Sequence, residues 1–256
     1  SLPPNSISKI EIIKTPSAKY DASGSGGIVN VVLKKGVKIG LTGSVNGGMQ
    51  QGVYGNQFIG FNLSNNDGKK SSYINLNYSK RNSFEKIVTD RIFAPDSIIS
   101  QDAFTKYPAN TYYVGYGLNY SLGKKWELDF SGNVNINTND NRTKNQSLIQ
   151  KISTSQTNSE NLNTVRNEGT NLVIGNGIES KLKIDSAGSE WTNQVFYYAS
   201  HNTSDQTYAT TFYQPFSTTL AGDGNGDNKR GFFSAKSDLK IKMKNRFTFE
   251  SGIKTT

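Results

Sequence analysis

From residue 37 onward, apolar and polar residues alternate along the chain with a period of two. In 126–137, every second residue is apolar or glycine, and every residue between them is polar. Side chains of a β-strand point alternately to its two faces, so this pattern predicts strands with one apolar and one polar face. The alternation recurs in 59–64, 74–79, 112–120, 172–182, 238–244 and 247–254. It predicts an all-β fold with about nine antiparallel strands.

The predicted connections between these strands alternate in length. Short links are expected near Asp67, Lys124, Ala187 and 244–245, and long polar loops at 80–110, 139–170 and 203–230, after a short first loop at 50–56. Outer-membrane barrels have short periplasmic turns and longer outside loops, whereas a soluble sandwich has no reason to segregate loop lengths. The pattern therefore favours an antiparallel up-and-down transmembrane β-barrel, of which this chain supplies part.

The barrel hypothesis assigns side chains to lipid, lumen and the two sides of a membrane. The residues expected to face lipid are Ile59, Phe61, Leu76, Val114, Leu128, Phe130, Ile174 and Ile241, and those expected to face the lumen are Asn62, Asn77, Asn133 and Glu179. Aromatic residues beside the short turns are expected to form an interfacial girdle, or else to close the end of a soluble core: Trp126, Trp191, Tyr120 and Phe247. The loops around Phe93, Ser155 and Asp223 are expected outside the cell, and the short turns in the periplasm.

Composition narrows the remaining classes. The 256 residues include 34% hydrophobic residues, and no run approaches the roughly 18 apolar residues that a membrane helix needs. Cysteine is absent, which excludes disulfides, thiolate zinc sites and cysteine nucleophiles. The net charge of +9 is scattered rather than gathered on one element, so no nucleic-acid partner is expected. Without an initiator Met or a visible signal peptide, and ending within an alternating pattern, the chain is expected to be a fragment.

The first 36 residues have a different pattern. Residues 7–14 predict a short strand that ends before Pro16, and 21–27 predict a glycine-rich turn. Residues 28–35 form a near-continuous apolar run, which predicts a strand buried on both faces. We therefore divide the chain into a small globular element at 1–36 and the first part of the barrel at 37–256.

A sequence motif in this first element carries a family resemblance. Pro-Ser-x-x-Tyr is followed at fixed spacing by a glycine, a Gly-Gly pair, Ile-Val-Asn-Val-Val and two lysines, and its defining residues are Pro16, Ser17, Tyr20, Gly24, Gly26, Gly27 and Asn30. This run resembles the end of the plug domain of TonB-dependent outer-membrane receptors, in the version found in outer-membrane β-barrel receptors of Bacteroidota. Thr15 and Asp21 depart from the family, which usually has glycine at both places.

The resemblance implies a barrel of about 22 strands with a plugged lumen, too large for this chain to close alone. It implies a bacterial outer-membrane location and lipid as a partner. A small-molecule ligand would bind at the outside loops, and the inner-membrane TonB complex would pull the plug through a segment upstream. The glycan-importing branch has a different motif, so a siderophore-like chelate or another scarce small nutrient is the expected ligand. The alternative is a surface β-barrel or adhesive protein that binds without transport.

No enzymatic site is expected. His201 is the only histidine, so histidine triads and multi-histidine metal sites are unavailable, and a strand end in contact with water is its expected place. Glu127 and Asp129 are expected to line the lumen rather than to act as an acid–base pair. Residues 223–227 have the Asp-x-Asn-x-Asp spacing of a calcium loop but lack its later glycine and glutamate, which favours a polar loop tip and leaves calcium open. We expect no cofactor and no phosphate cradle at Gly26-Gly27.

Overall fold

The computed structural model describes residues 7–13, 28–33, 40–243 and 247–256, with strand pairing alone for the first two ranges. These residues form two antiparallel sheets. Within this described part, no helix is long and apolar enough to cross a membrane.

The smaller sheet consists of two strands, β1 (Ile7–Ile13) and β2 (Ile28–Leu33). They pair antiparallel, with Ile10 opposite Val31 and Glu11 opposite Asn30. Both strands confirm the prediction from the apolar runs. The predicted burial of β2 and the motif residues between 14 and 27 lie outside what the structure describes.

The larger sheet has nine strands in chain order, so every consecutive pair forms a hairpin. The strands are β3 (Gly40–Gln51), β4 (Gly55–Asn66), β5 (Lys70–Ala94), β6 (Ser97–Leu122), β7 (Trp126–Lys151), β8 (Thr157–Lys183), β9 (Glu190–Gln214), β10 (Thr218–Lys242) and β11 (Thr248–Thr255). The all-β, up-and-down prediction is confirmed. The two edges, β3 and β11, are unpaired with each other, so the described residues form an open sheet rather than a closed barrel.

The prediction of three long loops was wrong. The segments 80–110, 139–170 and 203–230 continue as paired strands up to turns at 95–96, 152–156 and 215–217. Strands β5 to β10 are therefore 25 to 27 residues long. Their polar composition resembles that of loops, but polar and charged residues also suit a strand with water on both faces. Both ends of the sheet carry short turns.

Strand register sorts the side chains onto two faces, because directly paired residues lie on the same face. One row contains Val45, Phe61, Leu76, Val114, Val134, Ile174 and Ala199, and runs from β3 to β9. We call this side the band face, and its apolar rows the band. All eight residues predicted to face lipid lie on the band face, and the four predicted to face the lumen lie on the other, as the sequence alternation indicated.

The band has a limited height. On β7 it extends from Trp126 to Ile136, and the next band-face residues, Thr138 and Asp140, are polar. This length is roughly 33 Å along the strand, or about 25 Å at a typical barrel tilt of about 40°. The lower border, which is the one nearest the turns at 123–125 and 184–189, is a row of Leu122, Trp126, Leu182, Trp191 and Leu239. The band thus matches the apolar belt of a transmembrane barrel in height and in having bulky aromatic residues at its border.

Nothing in the described residues covers the band. No hydrophobic side chain is buried there, and large ones such as Val45 (70% exposed), Ile59 (56%) and Ile178 (53%) remain open. Burial of one such side chain stabilises a protein by about 1.5–3 kcal/mol. The sheet with an uncovered band of this size therefore lacks a large amount of favourable hydrophobic free energy. The sheet requires an apolar phase or partner on this side.

Candidate functional site

The polar face, opposite the band face, changes character along the strands. Next to the turns at 123–125 and 184–189, and at the paired ends of β10 and β11 near Lys242 and Thr248, it is densely charged with both signs. Ion pairs there join Lys236 to Asp238 at 2.8 Å, Lys240 to Glu250 at 3.1 Å and Lys183 to Glu127, while Gln194 donates to Glu179 at 2.6 Å. All of these groups except Lys183 and Glu127 line a cavity of about 450 Å³ between β8 and β11. Mutual pairing of the charges makes this zone nearly neutral.

Beyond the level of the band, the polar face carries no formal charge across four strands. We call this region the asparagine surface: the odd-numbered residues of 101–111, 137–147 and 161–171, and the even-numbered residues of 202–210. Asparagine is its commonest residue, and the others are Gln, Ser, Thr, Tyr, Ala, Val and Gly. Its side chains on β6, β7 and β8 are half-buried or buried, whereas their neighbours Arg142 and Lys144 on the band face are exposed. On these three strands the asparagine surface is therefore the more enclosed side, whereas on β9 most of its residues are exposed.

Hydrogen bonds between neighbouring strands hold the asparagine surface in place. Asn137 donates to Thr111 at 3.0 Å, Asn163 donates to Thr210 at 2.7 Å, and Gln206 donates to Asn167 at 2.7 Å. Two more cross-strand bonds join Thr105 with Thr143 and Gln101 with Ser147. Such cross-strand pairs fix side-chain orientation, so amide and hydroxyl groups are presented in a defined arrangement.

Glycine borders the asparagine surface on β10. Gly222, Gly224 and Gly226 lie on the polar face and leave a strip of bare backbone beside β9. The ring of Tyr208 lies across Gly222, where an added Cβ would come within 2.5 Å of the Tyr208 hydroxyl oxygen. Tyr208 is 45% exposed, so one ring face is open over this strip.

On the four strands of the asparagine surface, the charged side chains lie on the band face, beyond the border of the band at Ile136. Asp140 accepts hydrogen bonds from Arg142 and from Arg166, whose Nε lies 2.8 Å from Oδ1, and Arg166 also bonds Glu168. These guanidinium hydrogen bonds hold the pKa of Asp140 well below its usual range and raise the pKa of both arginines. Asp140, Arg142 and Arg166 are consequently ionised at neutral pH. Because both arginines are exposed, its contribution to stability is modest.

Polar residues also occur within the band: Ser180, Asn193 and Ser237 share the row next to its tryptophan border, and Asn176 lies near mid-height. Asn176 shares a row with Gly132 and Tyr116, and the Tyr116 hydroxyl donates to Asn176 Oδ1 at 2.7 Å across β7. An added Cβ at Gly132 would come within 2.4 Å of that oxygen. Glycine is thus required at this position for the tyrosine to reach across. The hydrogen bond satisfies an amide oxygen that would otherwise be costly in an apolar environment.

The structure corrects two placements inferred from the sequence. Residues 223–227 lie within β10, where Asp223, Asn225 and Asp227 share one face but follow each other at about 7 Å along an extended strand, so they form neither a loop tip nor a coordinating loop. His201 lies in the middle of β9 rather than at a strand end, with Nε2 3.0 Å from Asp227 Oδ1. Among the described residues, no group of three or more His, Cys, Asp or Glu is arranged to hold a metal ion.

Other predicted residues lie where the alternation placed them. Glu127 and Asp129 face the same side as Lys181 and Glu179, in the charged zone of the polar face. Trp126, Trp191 and Tyr120 lie at strand ends beside the short turns, and Phe247 directly precedes β11. The asparagine surface was missed by sequence reasoning, because its strands were interpreted as loops. The signal that could have revealed it is the strict odd–even separation of asparagine from charge in 137–147.

No family model matches the chain, and no match was found among curated proteins.

Proposed function

We propose that the chain is part of a bacterial outer-membrane β-barrel that takes up a scarce ligand in a TonB-dependent manner. The observation that carries the proposal is the uncovered band, about 25 Å high, with a mainly polar face behind it. Lipid would cover the band, and the polar face would line the lumen. The motif at 16–30 supports a plug at 1–36, and with it gated transport rather than an open pore.

Cysteine labelling in intact cells tests the proposed orientation. The chain has no native cysteine, so Thr154→Cys and Lys124→Cys each introduce one exposed thiol, in turns at opposite ends of the sheet. A membrane-impermeant maleimide is expected to label Thr154→Cys in intact cells and Lys124→Cys only after the outer membrane is opened. Labelling of Lys124→Cys from outside would contradict the orientation, and equal labelling of both would contradict the membrane location.

Energy coupling tests transport itself. A strain lacking this protein should have a growth defect on one limiting nutrient or iron chelate, and a strain lacking the energy-coupling complex should share that defect. Binding to the cell surface should survive in the second strain, because only the pull on the plug is lost. If uptake continues without the coupling complex, active transport is contradicted.

The second candidate is a surface protein that binds without transport. The long hairpins of β5 to β10 favour it, because they continue well beyond the band and would project from the membrane as an extended binding surface. Ligand binding to the cell surface without uptake, at the same level in cells with and without the energy-coupling complex, would favour this alternative.

A further inference from the structure

Across β6 to β9, charge is separated by face over the part of the sheet that extends beyond the band. On the neighbouring β5, Arg81 and Glu85 lie on the polar face, and Glu85 accepts a hydrogen bond from the Tyr107 hydroxyl at the margin of the asparagine surface. On β7, Asp140, Arg142 and Lys144 all lie on the band face. The odd-numbered residues that alternate with them belong to the asparagine surface, and none of them has an ionised side chain. The same separation holds on β6, β8 and β9. Solubility alone does not explain it, because both faces lie outside the band and either could carry charge. The uncharged face therefore has its own chemical requirement.

The composition of the asparagine surface restricts what it can recognise. An anionic ligand needs cationic side chains and a cationic ligand needs carboxylates, and this surface has neither. An apolar ligand needs a contiguous apolar patch, but the apolar residues here are separated by amides. Amides and hydroxyls both donate and accept hydrogen bonds, so they complement a ligand whose own groups do both.

The border with β10 adds a stacking position. Tyr208 presents one exposed ring face above the bare strip of Gly222, Gly224 and Gly226. A flat aromatic face beside amide groups suits a pyranose ring, whose C–H face packs on the aromatic ring while its hydroxyls bond the amides. Next to Gly222, an added Cβ at Gly224 would have no atom within 4 Å, so such a ring has room to lie close to the sheet there.

We infer that the asparagine surface binds an uncharged, hydroxyl-rich ligand of the neutral oligosaccharide class, with Tyr208 as a stacking residue. The inference names the ligand class of the proposed uptake, and in that respect rests on the proposed function. It differs from the siderophore-like chelate expected from the family resemblance. The charged cluster around Asp140 takes no part in binding, because its side chains are on the opposite face.

The test uses the intact protein in detergent micelles on an array of neutral, uronic-acid and sulfated oligosaccharides. Binding is expected for members of the neutral class only. For the best neutral binder, calorimetry should show at least a tenfold loss of affinity for Asn167→Asp and a larger loss for the double variant Asn141→Asp/Asn167→Asp. Asn141 and Asn167 are directly paired, and a carboxylate keeps the amide shape while losing its donor. Tyr208→Ala should also weaken binding at least tenfold.

Thr170→Asp is the matched control, because it adds the same charge three residues away on β8 but on the band face. It should leave affinity within twofold of the unaltered protein. The inference would be overturned if the protein bound acidic glycans in place of neutral ones or bound no neutral glycan on the array. Equal losses of affinity for Asn167→Asp and Thr170→Asp would also overturn it. Binding in micelles does not depend on membrane location or energy coupling, so failure here and failure of the proposed function are separate results.

Discussion

Val134→Lys is expected to prevent stable assembly of the protein in the outer membrane. Val134 lies within the band, one row from its border at Ile136, in the row that runs from Val45 to Ala199. A lysine on the lipid face costs about 2–4 kcal/mol at the bilayer midplane and less toward the interfaces, and even part of this cost is a large fraction of the stability of a typical domain. Quantitative blotting of membrane fractions, with a folding-sensitive gel shift, measures the folded fraction.

Asn133→Lys is the matched control for this experiment. Asn133 adjoins Val134 in sequence but lies on the polar face, directly between Gly115 and Gly175. The two glycines leave space for the longer side chain, and water in a lumen would solvate its charge. Near-normal assembly is therefore expected. Equal loss of both variants would contradict a lipid-covered band and would favour a soluble second layer of protein on that face.

The sequence predicted the two faces of the sheet more successfully than its strand lengths. Period-two alternation at Leu128, Phe130 and Val134 reflects the geometry of a strand and needs no tertiary information. The strand ends were missed because the usual signals for a loop are polarity and the absence of apolar residues. At 139–147 both faces are polar, so Asn and Asp there suggest a loop, although each of these residues is paired across the strand. Only the pairing partners, which lie far away in sequence, distinguish the two cases.

The asparagine surface could also not be recognised from the sequence, because it is defined by strand register, which depends on residues that are far apart in the chain. Asn141 and Asn167 are 26 residues apart in sequence, and their direct pairing is fixed by the turn at 152–156. A register shift of one residue would place Asn141 opposite Arg166 or Glu168 and would mix charge with amides on one face. The clean separation of charge across four strands is thus a property of the register as well as of the sequence.

Deletion of 28–33 is expected to make the outer membrane leaky and to abolish ligand uptake. These residues form β2, which pairs along its length with β1, so their loss removes the hydrogen-bonding partner of the first strand. In the proposed receptor, a plug that has lost this strand would neither hold the pore shut nor respond to a pull. Gly27→Val should act in the same direction, since a β-branched residue does not readily adopt the positive-φ backbone conformations that are open to glycine.

Sensitivity to a bulky glycopeptide antibiotic measures the leak, and accumulation of the ligand measures uptake. Val31→Ile is the control, because it keeps β2 apolar and rich in β-branched residues opposite Ile10 and should leave both readouts unchanged. If the deletion variant assembles normally, keeps the membrane tight and still binds ligand at the surface, gating by this segment is contradicted. Since a barrel without gating could only display its long hairpins, that result would make surface binding without transport the function of the protein.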